Sequence, residues 1–148
     1  MATLRRLSIM LHREEALHVT RIADNADHLV YVFRCDKRLR YPNDKKSRIA
    51  YIGTTGSGVW RLTSSAAERA SQILKERGVT SFNASILTCT PRQKVHTWHK
   101  LERAMLLQFR DLFDRVPICN THRKNMVETD EFDYFARERV KDIIEDLS

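Results

Sequence analysis

The chain has 148 residues and carries 26 Lys and Arg against 19 Asp and Glu, a net charge of +7. That length suits one domain able to bury a core, and only 4 glycines and 3 prolines speak against a disordered or fibrous chain. No run of about 18 apolar residues occurs, so no transmembrane helix is expected.

Near the N-terminus, the apolar stretch is broken by His12, Arg13, Glu14 and Glu15, which argues against a signal peptide and makes the cytoplasm the expected compartment. Cys35, Cys89 and Cys119 are odd in number and widely spaced, so they do not form a disulfide framework, and no CxxC pair starts a zinc site. His96 and His99, one helical turn apart, are the remaining metal candidates; ordinary buried or surface helix positions are the plainer reading. The basic excess is the electrostatic footprint of a nucleic-acid binder, and also of many small soluble proteins.

In chain order, residues 1–27 are an N-terminal extension. Leu4, Leu7 and Leu11 fit a short helical stripe, and Leu17 and Val19 alternate as a strand would. The segment 29–35 (LVYVFRC) is a strand, 38–47 a polar loop around Pro42-Asn43-Asp44, and 47–53 (SRIAYIG) a second strand, together an antiparallel hairpin. A helix follows the TTGSG turn. Its start is open between Ser57, capping at Gly58, and Ser65, which begins a capping box with Glu68; Gly78 ends it. The segment 83–89 is a third strand, 94–116 a long helix ending before Pro117, and 129–147 a final amphipathic helix. The fold class is α+β: a small, mainly antiparallel three-stranded sheet flanked by helices, with extra terminal segments.

Glu102 is the polar residue that fits its surroundings least. Trp98, Met105, Leu106 and Phe109 are its neighbours on the same helical face. A carboxylate there is desolvated, which is costly unless it meets a metal or a cation such as Arg103 or Lys100. Asn120, in VPICN, is a turn or cap residue when read alone, and the following THRKN is basic.

In this order, these residues resemble the GIY-YIG nucleases over about residues 28–121. The first tripeptide is Leu29-Val30-Tyr31, with Leu-Val in place of Gly-Ile; the second is Tyr51-Ile52-Gly53. Glu102 stands in KLERAMLLQF and Asn120 in VPICN. The family arginine is Arg61, ten residues after Tyr51, or Arg69 on the capped helix; Arg61 is favoured by spacing. The family's frequent His or Tyr one turn after the arginine is replaced by Ser65 or Ile73.

The resemblance implies a divalent-metal-dependent DNA endonuclease. Glu102 would hold Mg²⁺, with Mn²⁺ a possible substitute, because a hard ion that keeps its waters suits a single carboxylate. Tyr51 would orient or deprotonate the attacking water. Free tyrosine ionises near pH ~10, so a base role requires nearby positive charge. Arg61 or Arg69 would clamp the phosphate, Tyr31 would donate or relay a hydrogen bond, and Asn120 would hold the site or a phosphate. His122, Arg123 and Lys124 would join the arginines in contacting phosphates. Gly53 would keep a side chain away from the phosphate. A homodimer on symmetric targets would cut both strands. A basic, non-catalytic nucleic-acid-binding module is the alternative, and a partner-binding protein docking through 129–147 a third reading.

Overall fold

The structure is a computed structural model, and it describes residues 6–15, 26–123 and 125–148. Residues 6–15 form neither helix nor strand, and Leu7, Ile9, Met10 and Leu11 are exposed, so the expected N-terminal helix does not form there. Leu7 and Leu11 are not covered by the described residues, and an isolated short helix is marginal in water. The strand expected around Leu17 and Val19 lies outside the described residues, as do Leu4 and Lys124.

From Leu29 onward the expected α+β architecture is present. Strand β1 (Leu29–Arg40) pairs antiparallel with β2 (Lys46–Thr55) and with β3 (Phe82–Leu87), giving the sheet order β2-β1-β3. β1 is therefore central. All five residues from Leu29 to Phe33 are buried, so the strand is covered on both faces and reads as a continuous apolar run rather than an alternation. Each such side chain contributes about 1.5–3 kcal/mol on burial. Both hairpin strands run longer than expected, and the loop shrinks to residues 41–45. Tyr41 explains this. Its ring is buried against Phe109 and Phe113, and its hydroxyl donates to Ile49 O at 2.6 Å, which fastens the tip of the hairpin onto the core.

Helix α1 (Val59–Ile73) begins at the earlier of the two candidate starts. Gly58 is its N-cap at φ 79°, a conformation that favours glycine, and its N–H donates to Asp27 O at 2.7 Å. Ser57 makes no cap hydrogen bond, and Ser65 is interior, so the capping box at Ser65 does not form. The helix ends at Ile73, before Gly78, which turns the chain at φ 83° toward β3.

Helix α2 (Thr97–Phe113) is the hub of the core, burying Leu101, Met105, Leu106, Phe109 and Phe113. It stops short of Pro117 at Asp114, which adopts φ 64°. The expected final helix is two pieces, α3 (Glu131–Tyr134) and α4 (Arg137–Leu147), separated by extended backbone at Phe135 and Ala136. The break lets Phe132 and Phe135 pack on the core alongside Val140 and Ile144, which one straight helix would not align. Glu131, fully buried at the start of α3, accepts from Arg103 Nε at 2.6 Å and from Thr129 N at 2.7 Å. Burial pulls its pKa upward, but these donors outweigh it and hold the carboxyl at about 2.

Candidate active site

The ladder sets the first part of the site. Tyr31 lies opposite Gly53, and Phe33 lies opposite Tyr51. Because side chains alternate along a strand, Tyr31, Phe33, Tyr51 and Gly53 share one face of the sheet. The Tyr31 and Tyr51 rings stand 6.1 Å apart, with Phe33 packed against both. Gly53 is inside β2 and not at its end. A Cβ there would lie 2.5 Å from Tyr31 Cζ, so the glycine makes room for the first tyrosine rather than turning the chain or clearing a phosphate.

α1 crosses the same face. Leu62, Ser65, Arg69 and Ile73 recur at helical spacing and form its inward stripe. Tyr31 donates to Ser65 Oγ at 2.8 Å. One turn on, the Arg69 guanidinium carbon sits 4.5 Å above the centre of the Tyr51 ring, and Nη2 donates to the Tyr51 hydroxyl at 3.4 Å. A cation over an aromatic face is attracted by the ring's quadrupole. The buried Arg69 Nε has no acceptor among the described residues. Arg61 is on the same helix but exposed, with no side-chain partner among the described residues. Spacing favoured Arg61; tertiary packing brings Arg69 to the tyrosines, because position 69 continues the buried stripe.

Burial pushes the Tyr31 hydroxyl up to about 12; the nearby Tyr51 and Glu102 add to the shift while Ser65 opposes it. Tyr31 is thus a fixed donor. Ser65 is the residue that sequence reasoning underused. It is a hydroxyl among the buried residues of α1, beside Leu62 and Ile73, and its buried position needed a partner.

Glu102 is 5 % exposed on α2, as its apolar neighbours predict. Desolvation raises its pKa, and Arg123 and Arg103 pull the other way. Arg123 Nη2 stands 3.0 Å from Glu102 Oε1. The local candidates are engaged elsewhere: Lys100 pairs with Asp130 and Arg103 with Glu131. Arg123, expected on phosphates, therefore serves as the carboxylate's counter-ion. His122 is exposed.

Asn120 grips the second tripeptide from outside. Its Nδ2 donates to Ile52 O at 2.8 Å and its Oδ1 accepts from Ile52 N at 2.9 Å, while Cys119 N donates to Ala50 O at 2.9 Å. β2 is an edge strand, and this segment satisfies its outer backbone groups as a short extra strand would. Of the two expected duties, Asn120 has the first: it is a positioning residue, with both amide atoms committed to main chain.

Trp98, one turn before Glu102, is stacked on His28 at 3.8 Å and on His96 at 4.7 Å between ring centroids. His96 and His99 have ring centroids 5.6 Å apart, but no group of three or more His, Cys, Asp or Glu able to hold a metal exists among the described residues. The three cysteines are free. A metal at Glu102 would meet a hard carboxylate oxygen and, among the described residues, fewer than three His, Cys, Asp or Glu ligands. That donor set fits Mg²⁺ retaining most of its waters, and does not fit a closed zinc site.

No protein-family model, curated protein or solved structure matches the chain. No helix among the described residues is long and apolar enough to cross a membrane.

Proposed function

We propose that this chain is a divalent-metal-dependent endonuclease that hydrolyses DNA phosphodiester bonds, on the GIY-YIG pattern its residues resemble. One observation carries the reading. Arg69 lies over Tyr51, on the face of the sheet that Tyr51 shares with Tyr31. Tyr51 then orients, as a phenol, or takes a proton from, as a phenolate, a water whose oxygen attacks phosphorus. The bond from phosphorus to the 3′-oxygen breaks, and that oxygen leaves with a proton from solvent. Arg69 is the phosphate clamp, its planar fork matching two non-bridging oxygens. Tyr31, held protonated by burial, positions rather than accepts. Asn120 keeps Tyr51-Ile52-Gly53 in register. Mg²⁺ on Glu102 would supply charge neutralisation at the phosphoryl and leaving oxygens.

A second reading has a specific observation behind it. The ion pair with Arg123 satisfies Glu102 without any metal, as a non-catalytic nucleic-acid-binding module would require. Supercoiled plasmid incubated with Mg²⁺, Mn²⁺ or EDTA separates the two. Nicking that needs the metal and disappears in Glu102→Gln supports the nuclease. Salt-sensitive plasmid retention without nicking under any metal supports the binding module.

A further inference from the structure

The far half of the β1–β2 hairpin carries a charge arrangement that the ladder alone does not explain. Arg40 lies directly opposite Lys46. Like charges in direct cross-strand register destabilise a sheet. Strand alternation puts Arg48 on the same face as Lys46, and Arg38 on the same face as Arg40. Lys45 stands beside them, and all five side chains are exposed. None forms an ion pair among the described residues, where the five ion pairs all involve other cations. Arg38, Lys45 and Lys46 share the rim of a shallow cavity of about 380 Å³ with a single acid, Glu145 of α4. Asp44 in the turn and Asp36, two residues before Arg38 on β1, are exposed carboxylates close by in the chain.

This repulsion is imposed on a rigid support. Besides the buried Tyr41, Asn43 Nδ2 donates to Leu112 O at 2.8 Å and Asn43 Oδ1 accepts from Lys45 N at 3.2 Å. The tip cannot splay to separate its charges. A polyanion laid across the strands would relieve them, and pre-positioned cations lose little freedom on binding it.

We propose that Arg38, Arg40, Lys45, Lys46 and Arg48 form a docking surface for a nucleic-acid phosphodiester backbone, remote from the candidate active site. The proposal rests on the reading above for its partner and not for its chemistry. Lys46 is five residues from Tyr51 along β2, roughly 17 Å at strand rise. The surface therefore lies away from the tyrosine pair along the hairpin. It supplies affinity and register, whereas the tyrosines, Arg69 and Glu102 supply chemistry.

The test compares two variants of equal charge change. Arg38→Gln/Arg40→Gln/Lys46→Gln/Arg48→Gln removes the surface; Lys75→Gln/Arg77→Gln/Arg139→Gln/Lys141→Gln removes four cations elsewhere. Binding of a labelled duplex of about 30 base pairs is followed by fluorescence anisotropy in EDTA over a salt series. The surface variant is expected to bind at least about 10-fold more weakly near 0.1 M salt, with the slope of log K against log salt reduced by about 2 to 4. The control is expected to stay within about 1 of the wild-type slope. An unchanged slope in the surface variant, or an equal loss in the control, overturns the proposal. So does loss of binding to phosphatidylserine vesicles with duplex binding intact, which would assign the surface to a membrane. As an independent readout, Lys46→Glu, which replaces the repulsion with an attraction to Arg40, should raise Tm by about 1–3 °C; a lowered Tm counts against it. Because binding is read in EDTA, a wild type that nicks no plasmid removes the nuclease reading and leaves this result standing.

Discussion

The Tyr31 ring occupies the space above Gly53, so that a Cβ at position 53 would stand 2.5 Å from Tyr31 Cζ and 2.6 Å from its hydroxyl. The two residues face each other across the ladder, one supplying a ring and the other the absence of a side chain. The ring cannot swing away, because Phe33 packs on it and Ser65 Oγ accepts a hydrogen bond from its hydroxyl. Gly53→Ala is therefore expected to destabilise the fold by about 1–3 kcal/mol, the range for overpacking. Gly53→Ala combined with Tyr31→Leu should cost less than the sum of the two. Urea unfolding of the four proteins measures the coupling; strict additivity would deny the contact.

Alkaline pH should weaken the fold through two tyrosines. Burial pushes Tyr31 up to about 12 and raises Tyr41 as well. An unfolded tyrosine releases its proton near pH ~10, so above that pH the unfolded state holds fewer protons than the folded one. Stability is then whole below about pH 10 and falls as pH rises toward 12. Denaturant midpoints from pH 8 upward give the slope. Tyr41→Phe should flatten part of it, since a phenylalanine has no proton to lose.

Glu131 acts at the opposite end of the scale. Its folded carboxyl ionises at about 2, depressed from 4.5, so its contribution is present above pH ~4.5 and is lost as pH falls toward 2. Glu131→Gln breaks the pair with Arg103 and is expected to cost about 2–4 kcal/mol at neutral pH. Its acid limb should also be shallower than that of the wild type. Parallel limbs would mean the carboxylate is not the group being protonated.

A metal at Glu102 would compete with Arg123 for the carboxylate. Removing the guanidinium leaves a buried carboxylate short of a counter-ion, and Arg123 is itself 43 % exposed, which limits the loss in Arg123→Ala to about 1 kcal/mol in EDTA. Adding Mg²⁺ to about 10 mM should restore the variant's Tm more than it raises that of the wild type, since ligand binding to the folded state stabilises it. Equal shifts in both proteins would show that Glu102 is not where the ion goes.

The arginines should separate kinetically in the proposed enzyme. Arg69→Ala removes the group above Tyr51 and is expected to slow nicking by about 100-fold or more. Arg61→Ala removes an exposed cation and should slow it by less than about 10-fold, mostly through weaker binding that lower salt recovers. Initial rates of supercoil loss at two salt concentrations distinguish them. A reversed order would return the catalytic role to Arg61.

What the sequence determined by itself was local in origin. The apolar runs around Val32 and Ile52 marked the hairpin, and the stripe through Trp98, Met105, Leu106 and Phe109 marked the face of α2. Glu102 stood out because a carboxylate on that stripe breaks the helical pattern. Only the tertiary structure decided which side chains meet. Spacing along the chain favours Arg61 over Arg69 until the sheet selects the face of α1 that it covers. Ser65 looks like a cap until Tyr31 reaches it from 34 residues away. Gly53 looks like a strand end until the ladder sets it beneath a ring, and Arg123 looks like a phosphate contact until Glu102 claims it. Periodicity is written into neighbouring residues, whereas partners far apart in the chain are chosen by register and packing. Those depend on every element at once.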